Sequence, residues 1–140
     1  MRVVLDTNVL VAAMRSPKGA SARLVAAALH GEVIMVSNVG LFTEYEAVMT
    51  REEHLRAAGI SLYEALAILD ELAAVVVPAS WVDLPRPQLR DRDDDMVLEA
   101  AVGGGADAIV TSERRTFAPA SAHFGISVLT PGQACGMIAP

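Results

Sequence analysis

The 140 residues include one cysteine, one tryptophan, two tyrosines, three phenylalanines and three histidines, and the 11 basic side chains are outnumbered by 17 acidic ones. A lone Cys135 allows no internal disulfide and leaves a thiolate zinc site without ligands. His30, His54 and His123 stand in neither an H-x-x-x-H nor an H-E-x-x-H spacing and read as helix-end or surface residues. Aromatics at 4% of the chain exclude base stacking as the main means of binding. A net charge of −6 is not that of a basic nucleic-acid arm, and 53% apolar residues are too many for a disordered acidic tail. No stretch reaches the ~20 apolar residues of a membrane span. Asp6 interrupts the one N-terminal run that could imitate a signal peptide, so a cytoplasmic location without membrane contact is expected.

What remains is material for one domain over residues 1–140, with its core between about 3 and 133, since domains run to roughly 100–200 residues. Twenty-four alanines predict close helix packing rather than large rings in the interior. Val3 to Leu5 reads as a buried strand that ends in Asp6-Thr7-Asn8. A turn at Ser16 to Gly19 precedes a helix over Ala20–Leu29, with Gly31 placed for a left-handed stop. Val33 to Val36 is a second strand, and Ser37-Asn38 caps a helix bearing Leu41, Phe42, Tyr45, Val48 and Met49 on one side with Glu44 beside that stripe. A charged helical segment over Arg51–Ala58 stops at Gly59. The capping box Ser61 to Glu64 then opens a third helix through Leu66, Leu69 and Leu72.

Val75 to Val77 forms the next strand, and Asp83 to Asp95, with Pro85 and Pro87, reads as an exposed connection. A helix begins at Asp95 and stops at Gly103 to Gly105, Ala108 to Val110 is a strand ending in Thr111-Ser112-Glu113, and Ile126 to Leu129 is the last strand. Thr130 to Gln133 supplies a second capping box, with Pro131 at the first helical position. Strands alternating with helices predict an α/β domain with a parallel sheet, and such sheets bind ligands beyond their carboxyl ends.

Asp6, Glu44, Asp95 and Glu113 converge at that edge. Unneutralised, four carboxylates oppose one another's ionisation, and a hard divalent cation such as Mg²⁺ or Mn²⁺ resolves the conflict. Taken singly, Asp95 reads as an N-cap and Glu44 as a solvated helix residue; the combination carries the inference. Asp6, after three buried apolar residues, is costly unless paired or metal-bound. Asp93 or Asp94 takes the place of Asp95 if the helix starts a residue or two earlier.

The run Val3 to Val11 with its Asp6-Thr7-Asn8, the pair Ser37 and Glu44, the stretch Arg90 to Asp95 before an alanine-rich helix, and Gly105 to Thr111 together resemble a PIN domain. The nearest likeness is to the VapC-like toxin branch. The resemblance implies a three-layer α/β/α domain with a central parallel sheet of about five strands. It also implies a Mg²⁺-dependent ribonuclease (Mn²⁺ serving too), RNA as substrate, a cognate antitoxin and a homodimer. Carried over by position, the catalytic and metal-binding acids are Asp6, Glu44, Asp95 and Glu113, with Asn8, Thr111 and Ser112 in support. The family usually has aspartate where this chain has Glu113. The extra methylene exceeds the ~0.5 Å tolerance of a preorganised site, yet glutamate still offers oxygen ligands.

The expected chemistry is attack of a metal-activated water on an RNA phosphodiester, with Arg15, Lys18, Arg114 and Arg115 available for phosphate contacts. A phosphotransferase using Asp6 as nucleophile fits poorly, because Asn8 stands where a second acid is expected. A PIN-like interaction module with a weakened site is the other alternative. Gly103 to Gly105 precedes a strand instead of opening a helix, which excludes a phosphate-cradling loop.

Overall fold

The structure, a computed structural model, describes residues 1–84 and 91–138. The part of the expected connection that holds Pro85, Pro87 and Arg90 lies outside the described residues. Val3, Val4 and Leu5 have no solvent exposure, which is the environment of a central parallel strand covered on both faces. They belong to β1 (Arg2–Leu5), which pairs in parallel with β2 (Ile34–Ser37) on one side and β4 (Ala108–Val110) on the other. β3 (Val77–Pro78) adds outside β2 and β5 (Ser127–Leu129) outside β4, so the strand order is β3-β2-β1-β4-β5, all parallel.

Eight helices connect these strands among the described residues: α1 (Thr7–Arg15), α2 (Ala20–Leu29), α3 (Val39–Met49), α4 (Glu52–Ala58), α5 (Leu62–Val75), α6 (Arg92–Gly103), α7 (Arg114–His123) and α8 (Pro131–Gly136). α1 packs on α2, α3 and α4, while α6 lies along β1, β2 and β4 and meets α7, giving the expected three-layer α/β/α architecture. None of the described helices is long and apolar enough to cross a membrane. Both capping boxes form, Ser61 with Glu64 and Thr130 with Gln133, and Gly31 and Gly59 stop their helices at positive φ.

Four local expectations change. The segment after β1 is a helix, α1, capped by Asp6 itself, whose side chain accepts from the Thr7 amide. Val9 and Val11 lower its helix propensity, but burial of Val9, Leu10 and Met14 overrides that preference. α5 runs on to Val75, which moves β3 to Val77–Pro78, and β2 and β5 each begin one residue later than expected. α7 forms despite Pro119 in its interior, anchored by the fully buried Phe117. α6 starts at Arg92 instead of Asp95, because the Asp91 side chain caps it by accepting from the Asp93 amide at 2.9 Å. Asp93, Asp94 and Asp95 then occupy its first turn, where the helix dipole favours negative charge.

The order of strands reverses between β1 and β4, so the crevice of the sheet opens at their carboxyl ends. On the opposite side of α6 from its cap, two glycines permit close approach. A Cβ on Gly103 would lie 2.0 Å from the Ser80 carbonyl oxygen, and one on Gly104 would lie 2.1 Å from Val36 Cγ1. Gly103→Ala is therefore expected to destabilise the fold by about 1–3 kcal/mol in urea unfolding. Gly136→Ala, where nothing lies within 4 Å, should leave stability unchanged or raise it. Equal midpoints for the two variants would refute the close contact.

Candidate active site

β1 delivers Asp6 to the crevice, and β4 delivers Thr111. The Asp6 amide donates to the Val110 carbonyl at 2.9 Å, so the ladder between the strands continues one residue past their ends. Asp6 is 7% exposed. Its Oδ1 accepts from the Thr7 amide at 2.9 Å, and its Oδ2 accepts from Thr111 Oγ1 at 2.8 Å and Asn8 Nδ2 at 3.1 Å. Burial raises its pKa above the ordinary carboxylate value even against these hydrogen bonds, and the charge of Glu113 adds to the rise.

Glu44 reaches the same crevice from α3, which Asn38 opens by accepting from the Leu41 amide at 2.8 Å. Thr7 Oγ1 donates to Glu44 Oε2 at 2.5 Å, tying the helix acid to the residue next to Asp6. Burial raises the Glu44 pKa, with Asp93 and the charge of Asp6 acting the same way. One position on, the buried Tyr45 hydroxyl donates to the Leu5 carbonyl at 2.5 Å. Burial pushes that phenol far above its ordinary range, so it stays a donor. This bond fixes α3 to β1 beside Asp6. Thr7 and Tyr45 were not among the expected site residues; each binds a partner some forty residues away in sequence, a contact with no local signature.

The fourth acid comes from α6, and its phase decides which aspartate serves. Asp94 feels the charges of Asp6, Asp91, Glu113 and Glu44, and burial together with these charges pushes its pKa up to about 6. It lines an opening with Asp91, Arg92 and Thr116. Asp95, one residue and about 100° of helix further round, is buried at 7% exposure and lines a different cavity with Trp81, Val82, Asp83, Leu84, Arg92 and Glu99. Asp94 is thus the α6 aspartate whose electrostatics join it to Asp6, Glu113 and Glu44, while Asp93 hydrogen-bonds with Glu44.

Glu113 is exposed at the N-cap position of α7 but makes no side-chain cap, and its amide donates to Thr111 Oγ1 at 3.0 Å. Its charge reaches both Asp6 and Asp94. Asn8 links the two strand ends: its amide nitrogen serves Asp6, and its Oδ1 accepts from the Ser112 amide at 3.3 Å. Ser112 thus contributes backbone, not its hydroxyl. Of the expected phosphate contacts, Arg15 and Lys18 lie at the far end of α1, roughly 13 Å of helix from Asp6. Arg114 Nε donates to the Val128 carbonyl at 3.1 Å. Arg92, not foreseen, lines the same opening as Asp94.

No lysine or arginine among the described residues pairs with Asp6, Glu44, Asp94 or Glu113. The group offers oxygen donors only and carries charge that no described basic residue pairs with, which is the donor chemistry of a hard divalent cation. Among the described residues, no three of the His, Cys, Asp and Glu side chains form a ready-made metal cage. Mg²⁺ does not require one, since it takes one or two carboxylates and completes its shell with water. The residues therefore fit such an ion.

No curated protein matches the chain. A family model described as PIN domain matches residues 2–115, a span that runs from the first residue of β1 past β4 and includes Asp6, Glu44, Asp94, Asp95 and Glu113. PIN domains are in general nucleases, act on RNA and use divalent metal ions. The match covers most of the sequence, and the sheet places the acids at its switch point, so the chain belongs to the PIN domain family.

Proposed function

We propose that the chain is an endoribonuclease that hydrolyses RNA phosphodiester bonds with Mg²⁺, or Mn²⁺ in its place, held among Asp6, Glu44, Asp94 and Glu113. The observation that carries this reading is the gathering of these acids, without a basic partner among the described residues, at the switch point of a PIN-domain sheet. Asp94 stands in the set for Asp95 because its charge couples to the other three. In the same proposal the chain is the toxin of a toxin–antitoxin pair, a cytoplasmic homodimer held in check by a cognate antitoxin. The support for that part is the likeness of its motif order to VapC-like chains.

A bound Mg²⁺ supplies Lewis acidity, lowering the pKa of a ligand water and offsetting charge that builds on the phosphate. The chain's own groups hold the acids in place for it. Thr111 and Asn8 spend their donors on Asp6 Oδ2, while the Thr7 amide holds Oδ1, so the carboxylate cannot rotate. Thr7 holds Glu44 by Oε2, and Asp93 from the first turn of α6 hydrogen-bonds with the same carboxyl group. Glu113, with no intramolecular side-chain bond, has the freedom to adjust to a longer reach than aspartate has. Bonds of this kind orient ligands and set their basicity.

Cleavage of a mixed panel of single-stranded RNAs in Mg²⁺, Mn²⁺ or EDTA tests the reading. Cutting should require metal. Asp6→Asn and Asp94→Asn should each lower the rate by on the order of 100-fold or more, above the ~10–100-fold typical of supporting groups, and Asp95→Asn should cost less than Asp94→Asn. No cutting by folded, metal-supplied protein would move the reading to an interaction module; a larger loss at Asp95 would return that residue to the ligand set.

The charge crowding has a second consequence. Asp94 has a pKa of about 6 in the folded chain against an ordinary 3.8, so the folded state binds the proton more readily between those values. Its stabilising contribution is complete below about pH 4 and is lost as pH rises through 6. In EDTA, the thermal midpoint should fall as the pH is raised from about 5 to about 7.5, and Asp94→Asn should flatten that fall. Mg²⁺ should raise the midpoint at the upper pH. A flat profile indifferent to Mg²⁺ would show that the acids are not crowded.

A further inference from the structure

We propose that Trp81 and Arg92 form a subsite for an unpaired RNA base and its phosphate beside the acid group, an inference that rests on the nuclease reading above. Trp81, the chain's one tryptophan, is 83% exposed, yet the two residues before it are held. The Ala79 amide donates to the Ser37 carbonyl at 2.8 Å and the Ser80 amide to the Gly103 carbonyl at 3.1 Å. The missing Cβ of Gly103 is what lets the Ser80 backbone lie there. The indole thus stands out over the surface directly after a segment, Ala79 and Ser80, that is held between β2 and α6.

Three openings meet at Arg92. One, of about 370 Å³, is lined by Asn38, Val39, Trp81, Arg92 and Met96 among others; a second, also about 370 Å³, includes Trp81, Arg92, Asp95 and Glu99; the third joins Arg92 to Asp94. The first two are of the size of small-ligand sites, ~300–1,000 Å³. The Arg92 side chain makes no hydrogen bond or ion pair with any described residue, and its planar donors suit a phosphate. Glu99 on the same wall is an acceptor for the N–H edge of a base. An indole face for stacking, a guanidinium for the backbone that no described residue engages, and a neighbouring opening at that same guanidinium lined by Asp94 are together the elements of single-strand binding. Inside a duplex both faces of each base are covered, so only its terminal pairs can meet Trp81 without unpairing.

Tryptophan emission reads the subsite directly, since it comes from Trp81 alone. The probe is a mixed-sequence single-stranded heptaribonucleotide, added to Asp6→Asn protein in Mg²⁺, with the same sequence as a duplex for comparison and with cleavage of the strand by the otherwise unaltered chain measured in parallel. The single strand should quench the emission far more than the duplex. Trp81→Ala should weaken single-strand binding, followed by filter retention, roughly 5- to 150-fold, and Trp81→Phe should restore most of it. Arg92→Ala should reduce the slope of log affinity on log salt by about 0.7. If the strand is cut but the emission does not move and Trp81→Ala binds as before, the subsite is refuted while the nuclease stands. If nothing is cut but quenching and its loss in Arg92→Ala persist, the subsite stands and the nuclease reading falls. A blue-shifted emission that depends on protein concentration and ignores RNA refutes the subsite in favour of a protein contact at Trp81.

Discussion

The parallel pairing of β1 with β4 is the constraint on which the rest of the site depends. Leu5 opposite Val110 closes the ladder, and the bond from the Asp6 amide to the Val110 carbonyl carries it one step beyond. That step sets Asp6 Oδ2 against Thr111 Oγ1, and it brings Asn8 within reach of the Ser112 amide. Every one of these contacts joins residues more than a hundred positions apart in sequence. A slip of one residue in this register would send the side chains to the other face of the sheet and take the Thr111 hydroxyl away from Asp6. The side chains of Val3 to Leu5 and Ala108 to Val110 are all buried in the observed register.

Stability and function pull in opposite directions at this edge. Asp6, Glu44 and Asp94 each sit where burial and neighbouring carboxylates disfavour ionisation, and no cation among the described residues pairs with them. A structure under selection for stability alone would neutralise at least one, for instance by placing a lysine where Thr7 or Thr111 stands. Instead the neighbours are hydroxyls and amides, which orient a carboxylate without cancelling its charge. The strain is local, since the sheet beneath is anchored by α6 on one side and, through Tyr45, by α3 on the other.

Much of this was legible in the sequence, and the physical reasons for the gaps are specific. The runs Val3 to Leu5 and Ala108 to Val110 announce buried strands, because nothing but a doubly covered strand accommodates so many apolar residues before a polar break. The capping boxes at Ser61 and Thr130 are equally local, being complete within four residues. α1 was hidden because its cap, Asp6, reads as the polar end of a strand and not as a helix start, although it is both. The choice between Asp94 and Asp95 depends on helical phase, and the phase depends on Asp91, one more acid in a run where any could have capped. Three consecutive aspartates share a composition but point about 100° apart, so only the helix start distinguishes them. Thr7 and Tyr45 carry no sequence signal, since their roles exist only when β1 and α3 meet.

A net charge of −6 would repel a polyanion if it were spread evenly, but electrostatic influence at physiological salt fades within ~8 Å. What an RNA strand would meet is therefore local: an acid group whose oxygens suit a divalent ion and, two helix positions before Asp94, Arg92, which pairs with no described residue. Binding in such a setting cannot draw on a broad basic face, and affinity must come from a few well-placed contacts. The scarcity of aromatics sharpens the point. With one tryptophan in the chain, its exposure directly after a held segment and beside that arginine concentrates the means of gripping a base at a single place. A strand stacks there most readily when the base is unpaired, which couples the geometry of the fold to a preference for single strands.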